Sequence, residues 1–281
     1  MILAACVDQE GAGGLYAWDS GALTRVDPVN TSSVRAAAGK LFRLFYSEPG
    51  GSAGIAAYDA NGLLWYHRLD GHGEAHHIGL DGGNLVIAST FANKLVWLSP
   101  AGEALGEWPV RGRGDCRHIN ATCPHNGRLL VCAFGRFDTH RGWEEHARDG
   151  SGIVFDLSTD EDVLTGLNAP HHPVLIDGRW LVCDSGLERV VVIDAVTKKP
   201  AASVPLGGWT RGVAVLDDCI AVGISAPRHG PPARRSAIAL LCRRTYKELE
   251  RIPVPAREIG DLCVVDEALY RGCLEGRTAV R

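Results

Sequence analysis

Hydrophobic residues in this chain fall in short runs rich in Val, Ile and Leu, cut by turn signals such as Asp81-Gly82-Gly83, His125-Asn126-Gly127, Asp177-Gly178 and Asp217-Asp218. Helical spacing is nearly absent, so the runs predict β-strands. The clearest internal repeat pairs Gly127-Arg128-Leu129-Leu130-Val131-Cys132-Ala133-Phe134-Gly135 with Gly178-Arg179-Trp180-Leu181-Val182-Cys183-Asp184-Ser185-Gly186, and Asn84-Leu85-Val86-Ile87-Ala88-Ser89 is a looser copy. Each copy is followed by a turn and a second run: Lys94–Ser99, Gly152–Leu157 and Arg189–Asp194. A polar segment such as Ala104–Val110 then closes the unit.

Four-strand units that recur at such spacing are the mark of propeller blades. The segments that open each unit start near Ser33, His76, His118, His171, Arg211 and Glu258, at intervals of 43, 42, 53, 40 and 47 residues. The wrap from the last to the first makes six. The sequence therefore predicts an all-β, six-bladed β-propeller with four-stranded blades, a single domain over residues 1–281. Its ring closes by pairing strands from Met1–Asp27 with one near Leu262–Val265, which removes free sheet edges. A seven-bladed ring and a pair of β-sandwiches are the alternatives. The long interval holds an insertion, Arg136–Gly150, read as a loop over one face.

Charge narrows the partners. A net charge of -4 and the absence of a basic run argue against nucleic acid and anionic membranes. A small-molecule substrate fits better. Met1–Glu10 lacks a basic start and is interrupted by Asp8, which is not a signal-peptide pattern, and no apolar run is long enough to span a bilayer. Nine cysteines scattered through strand-like runs read as reduced, buried small hydrophobes, and with the preceding points give a cytoplasmic expectation.

In a propeller the first residues of each inner strand meet at one mouth of the central channel. Here they read Glu74-Ala75-His76-His77, Arg117-His118-Ile119-Asn120, Pro170-His171-His172-Pro173, Thr210-Arg211-Gly212 and Arg257-Glu258-Ile259-Gly260-Asp261. Three blades offer histidine. His76, His77, His118, His171 and His172 are thus candidate ligands for a divalent transition metal (Zn, Fe or Cu), because neutral imidazole binds such ions and titrates near neutrality. The plainer alternative is a polar channel plugged by hydrogen-bonded histidines. Which member of each adjacent pair faces inward depends on strand register, which the sequence leaves open. His118, Glu258 and Arg211 are the catalytic candidates, with Arg211 suited to clamp a carboxylate. Trp209, beside Arg211, is a candidate wall of the substrate site.

Several of these strings resemble a bacterial propeller family known only as conserved hypothetical proteins, a domain of unknown function: His118-Ile119-Asn120, Pro170-His171-His172-Pro173, Asp184-Ser185-Gly186, Thr210-Arg211-Gly212, Gly223-Ile224-Ser225-Ala226-Pro227-Arg228 and Glu258-Ile259-Gly260-Asp261. The resemblance covers roughly Glu74–Leu269 and implies a fold but no reaction. It adds Asn120, Ser225 and Arg228 to the candidate substrate-binding residues. In architecture the chain is also similar to lactonase, streptogramin-lyase and strictosidine-synthase-like propellers, an analogy of fold alone. The expected function is a small-molecule enzyme of the lyase, isomerase, cyclase or hydrolase type. It would use a histidine-held metal as Lewis acid. A metal-free acid–base enzyme and a non-catalytic propeller that binds a protein partner are the alternatives.

Overall fold

Along the strand Ile2–Val7, Leu3 and Ala5 pack with Val34, Leu41 and Phe45, whereas Ile2, Ala4 and Cys6 pack with Ala221, Ile238 and Ile259. The two-residue period of a strand sends alternate side chains to opposite faces. Here both faces are covered by neighbouring sheets, so the strand reads as a continuous apolar run instead of an alternating one. The same split holds in Asn84–Ser89, where Leu85 and Ile87 join one core and Val86 and Ala88 the next. Among the described residues, an apolar core thus lies between each pair of adjacent sheets.

The computed structural model describes residues 1–226 and 235–275. Among them are six four-stranded antiparallel sheets arranged as propeller blades. Blade I combines Glu258–Val264 with Ile2–Val7, Gly14–Asp19 and Ala22–Asp27. Blade II is Thr31–Ala37, Lys40–Phe45, Ala53–Asp59 and Gly62–Leu69; blade III is Ala75–Asp81, Asn84–Ser89, Lys94–Leu98 and Ala104–Pro109. Blade IV is Ala121–His125, Arg128–Ala133, Gly152–Asp156 and Asp162–Leu167. Blade V is Pro170–Ile176, Arg179–Asp184, Arg189–Asp194 and Pro200–Pro205; blade VI is Trp209–Val215, Cys219–Ser225, Ser236–Cys242 and Glu248–Val254. Closure pairs Ile2 with Val264 and Val7 with Glu258, so the two ends of the described chain share one sheet, as expected. The helix Glu267–Glu275 follows and packs on blade II.

The innermost strands carry a device that the repeat does not reveal. In five blades the pairing to the second strand skips residues near the mouth: Ser32, His76, His172 with Pro173, Gly212 and Gly260. Such bulges bend the strand and re-aim side chains. They also draw neighbouring inner strands close. A β-carbon on Gly212, whose φ is +69°, would lie 2.8 Å from the backbone of Asp261 and Leu262. Gly212→Ala should therefore lower stability by about 1–3 kcal/mol through left-handed strain and the clash. Urea denaturation checks it; an unchanged midpoint would show that the inner ring yields.

Side chains cross every blade interface beside the channel. Asp261 of blade I accepts the Val34 N–H of blade II at 3.3 Å, and Ser33 Oγ accepts the Ile78 N–H of blade III at 3.0 Å. His77 Nδ1 accepts the Thr122 N–H of blade IV at 3.3 Å, and Asn120 Nδ2 donates to the Pro170 carbonyl of blade V at 2.9 Å. His172 Nδ1 accepts the Gly212 N–H of blade VI at 3.2 Å, and Ser225 Oγ accepts the Ile259 N–H of blade I at 3.0 Å. Among the described residues, such hydrogen bonds at all six interfaces stitch the ring where backbone groups of different sheets could not otherwise pair.

Candidate functional site

The bulge after Ala75 settles the first histidine pair by splitting it. His76 is turned to the channel mouth, whereas His77 lies deeper and is 2% exposed. At the mouth a cavity of about 380 Å³ is lined by His76, His171, His172, Asn120, Arg211 and Glu258, with Glu74, Tyr46, Asp8, Glu10 and Arg257 at its walls. Several of these positions carry unusual backbone. Glu74 (φ +54°) and His172 (φ +44°) are left-handed although neither is glycine, as are the adjacent Ala169 (φ +42°) and His118 (φ +48°). Non-glycine residues in this region store strain, which concentrates at functional sites.

His171 is held in one tautomer. Its Nδ1 lies 3.1 Å from the Ala169 carbonyl and 2.9 Å from Ser185 Oγ, and that hydroxyl donates its own proton to the Thr210 carbonyl at 2.6 Å. With acceptors around Nδ1, the ring proton sits there and Nε2 keeps a bare lone pair. Nε2 is buried and has no hydrogen-bond partner among the described residues. Burial, aided by the charge of Arg211, holds the His171 pKa well below the ordinary imidazole value. Asn120 is comparable. Its amide nitrogen donates to the His118 and Pro170 carbonyls at 3.1 and 2.9 Å, which fixes the flip and leaves the buried Oδ1 as a second unmatched acceptor. Arg211 and Glu258 pair on the wall at 3.3 Å.

Below the mouth, His77, His172 and Asp261 bring one ligand-type atom each within 4.8 Å of one another, all buried, and could hold a metal ion. His172 Nε2 is 3.3 Å from Asp261 Oδ1. Both nitrogens of His77 face donors, since Arg35 Nη2 lies 2.9 Å from Nε2 and the Thr122 N–H reaches Nδ1. Burial first, and then Arg35, keep the His77 pKa far below its usual value. Burial works to raise the pKa of Asp261, but the adjacent His172, with His77 and the Arg35 guanidinium, outweighs it and holds the carboxyl well below the usual range.

His118 stands apart from both groups. It precedes the inner strand of blade IV, and its ring packs between Phe134 and Trp143 at 4.2 and 4.3 Å. Its Nδ1 lies 3.0 Å from Asp115 Oδ2, and its ring meets that of His76 edge-on at 5.1 Å. Burial pushes the Asp115 carboxyl up to about 7. Among the described residues, His118 joins no three-member ligand group. Trp209 packs against His171 at 6.0 Å, outside the cavity lining, and Ser225 is a stitch between blades VI and I. Arg228 lies outside the described residues.

The sequence patterns did not single out Glu74, Tyr46, Asp8, Glu10, Ser185, Arg35 and Asp261 as site residues. Glu74 and Asp261 sit inside the strand-opening strings and could have been found there. Asp8 is brought to the mouth by ring closure, where its Oδ2 accepts the Arg257 N–H at 2.7 Å.

Comparison with known proteins adds the fold and a family. The structure is similar to a protein of unknown function from Bacteroides caccae, with 14% identity, 93% of this chain and 97% of that chain covered, and a TM-score of 0.60. It is also similar to a chain of the nidogen/laminin complex (11% identity, 93% and 97% covered, TM-score 0.62) and to the Pan2 WD40 domain of Neurospora crassa (10% identity, 84% and 69% covered, TM-score 0.52). At such identity these likenesses speak for the propeller alone. No curated protein matches the sequence. No helix among the described residues is long and apolar enough to cross a membrane. The family described as domain of unknown function DUF4915 matches residues 65–246, and the chain belongs to it.

Proposed function

We propose that this propeller is an enzyme that binds a small polar molecule at the channel mouth and moves a proton through His171, in an elimination, isomerisation, cyclisation or ring-opening reaction. The observation that carries this reading is the bare, buried Nε2 of His171 beside a cavity of about 380 Å³. Ser185 and the Ala169 carbonyl fix the tautomer, as a general base requires. His76 lines the same cavity and would serve as the partner acid, with Arg211 and Glu258 orienting the substrate. The test is incubation with fractionated, deproteinised cell extract followed by mass spectrometry. The wild type should consume a component that the His171→Ala variant does not. A wild type that retains small molecules but converts none is a binding module, and the enzyme reading falls.

His77, His172 and Asp261 favour a second reading, in which a soft divalent ion such as zinc, iron or copper sits beneath the mouth. His172 borders the cavity as well and would connect the two. Such an ion would have to displace Arg35 or the Thr122 N–H from a nitrogen of His77, a neutral ring that can accept at only one of the two. Elemental analysis of the purified protein separates the readings. A stoichiometric transition metal that disappears in Asp261→Ala supports the second; its absence leaves proton transfer by His171.

A further inference from the structure

A second cavity, of about 340 Å³, opens in the cleft between blades III and IV, and none of its lining residues borders the channel mouth. Trp108, Pro109 and Val110 wall it on the side of blade III, Phe155 and Leu157 on the side of blade IV, and Arg117 brings a cation to it. We infer that this cleft is a binding site for a small aryl carboxylate, a carboxylate group carried on a flat carbon ring.

Arg117 is the residue that calls for a ligand. It is 4% exposed, and its Nε is buried without a hydrogen-bond partner among the described residues. Its ion pair with Asp160 spans 3.6 Å from Nη1 to Oδ1, too long for a good hydrogen bond. Asp160 does not depend on that contact, because Arg136 donates to the same Oδ1 at 2.7 Å and to the Asp160 carbonyl at 2.6 Å. Arg136 also holds Asp162 at 2.7 Å, so the turn between the last two strands of blade IV is fastened without Arg117. The Arg117 guanidinium otherwise meets the Phe155 ring, 6.0 Å from its centroid. A cation sunk this deep with uncommitted donors is costly. A carboxylate matches its planar fork and supplies the missing acceptors.

The rest of the lining decides what carries the carboxylate. Trp108 is 50% exposed on the outer strand of its blade, and with Pro109 and Leu157 it offers an apolar face on which a flat ring can stack. Inorganic phosphate would leave that face unused.

Isothermal titration with benzoate tests this, with benzylamine and inorganic phosphate as controls. Benzoate should bind with a stoichiometry of one and weaken as salt rises. Benzylamine should give no saturable heat, and phosphate should bind more weakly than benzoate. Arg117→Gln should weaken benzoate about tenfold, as loss of a charged hydrogen bond implies. Trp108→Ala, at an exposed position, should weaken it about threefold and leave thermal unfolding unchanged. If Arg117→Gln does not fold, Trp108→Ala decides alone. No benzoate binding at millimolar concentration, or benzylamine or phosphate binding as tight as benzoate, overturns the assignment. So does benzoate binding that Trp108→Ala leaves intact and Arg211→Gln abolishes, which would place the anion at the mouth.

Discussion

Replacing Asp261 by alanine should destabilise the protein by about 3–5 kcal/mol, the cost typical of removing one partner from a buried charged network. Asp261 is 1% exposed and its carboxylate faces four groups: Ser33 Oγ at 2.5 Å, the Val34 N–H at 3.3 Å, the Leu262 N–H at 2.8 Å and His172 Nε2 at 3.3 Å. Alanine leaves all four without that partner in a dry interior, and it opens the stitch between blades I and II at the sheet that closes the ring. The Asp261→Asn substitution keeps the volume and one acceptor oxygen, so it should cost less than alanine. Denaturant unfolding of both variants provides the values. A loss below about 1 kcal/mol for Asp261→Ala would show that the channel network contributes little to holding the blades together.

His171→Ala should lower turnover by about 10²–10⁴, the usual contribution of a positioned general base. The ring lies against Phe134 and Trp209, so its removal also leaves a cavity, and rates must be referred to folded protein. Ser185→Ala removes one of two acceptors around Nδ1 and leaves the Ala169 carbonyl, so its effect should be smaller and should fall on kcat more than on KM. A rate unchanged in His171→Ala would move the chemistry elsewhere in the mouth.

The blade count was legible because each blade must bury both faces of its middle strands, and the resulting apolar runs, such as Leu129–Ala133 and Trp180–Cys183, repeat with little change. Where the inner strands begin was legible to within three residues, since the expected His118 precedes the observed start at Ala121. The roles of the histidines were not. A bulge adds a residue to one strand without altering its apolar pattern, so nothing in Ala75-His76-His77 announces that His76 turns to the mouth while His77 turns inward. Three equivalent histidines at one level are thereby distributed over three environments: His171 at the cavity, His77 in the channel network, His118 between aromatic rings. Closure hid the rest, because Asp8 meets Arg257 across nearly the whole chain.

Long-range proton–nitrogen correlation NMR on protein with isotope-labelled histidine measures the feature on which the proposed function rests. At neutral pH the His171 ring should be neutral, with its proton on Nδ1 and a bare Nε2. A proton on Nε2, or a doubly protonated ring, would contradict the account.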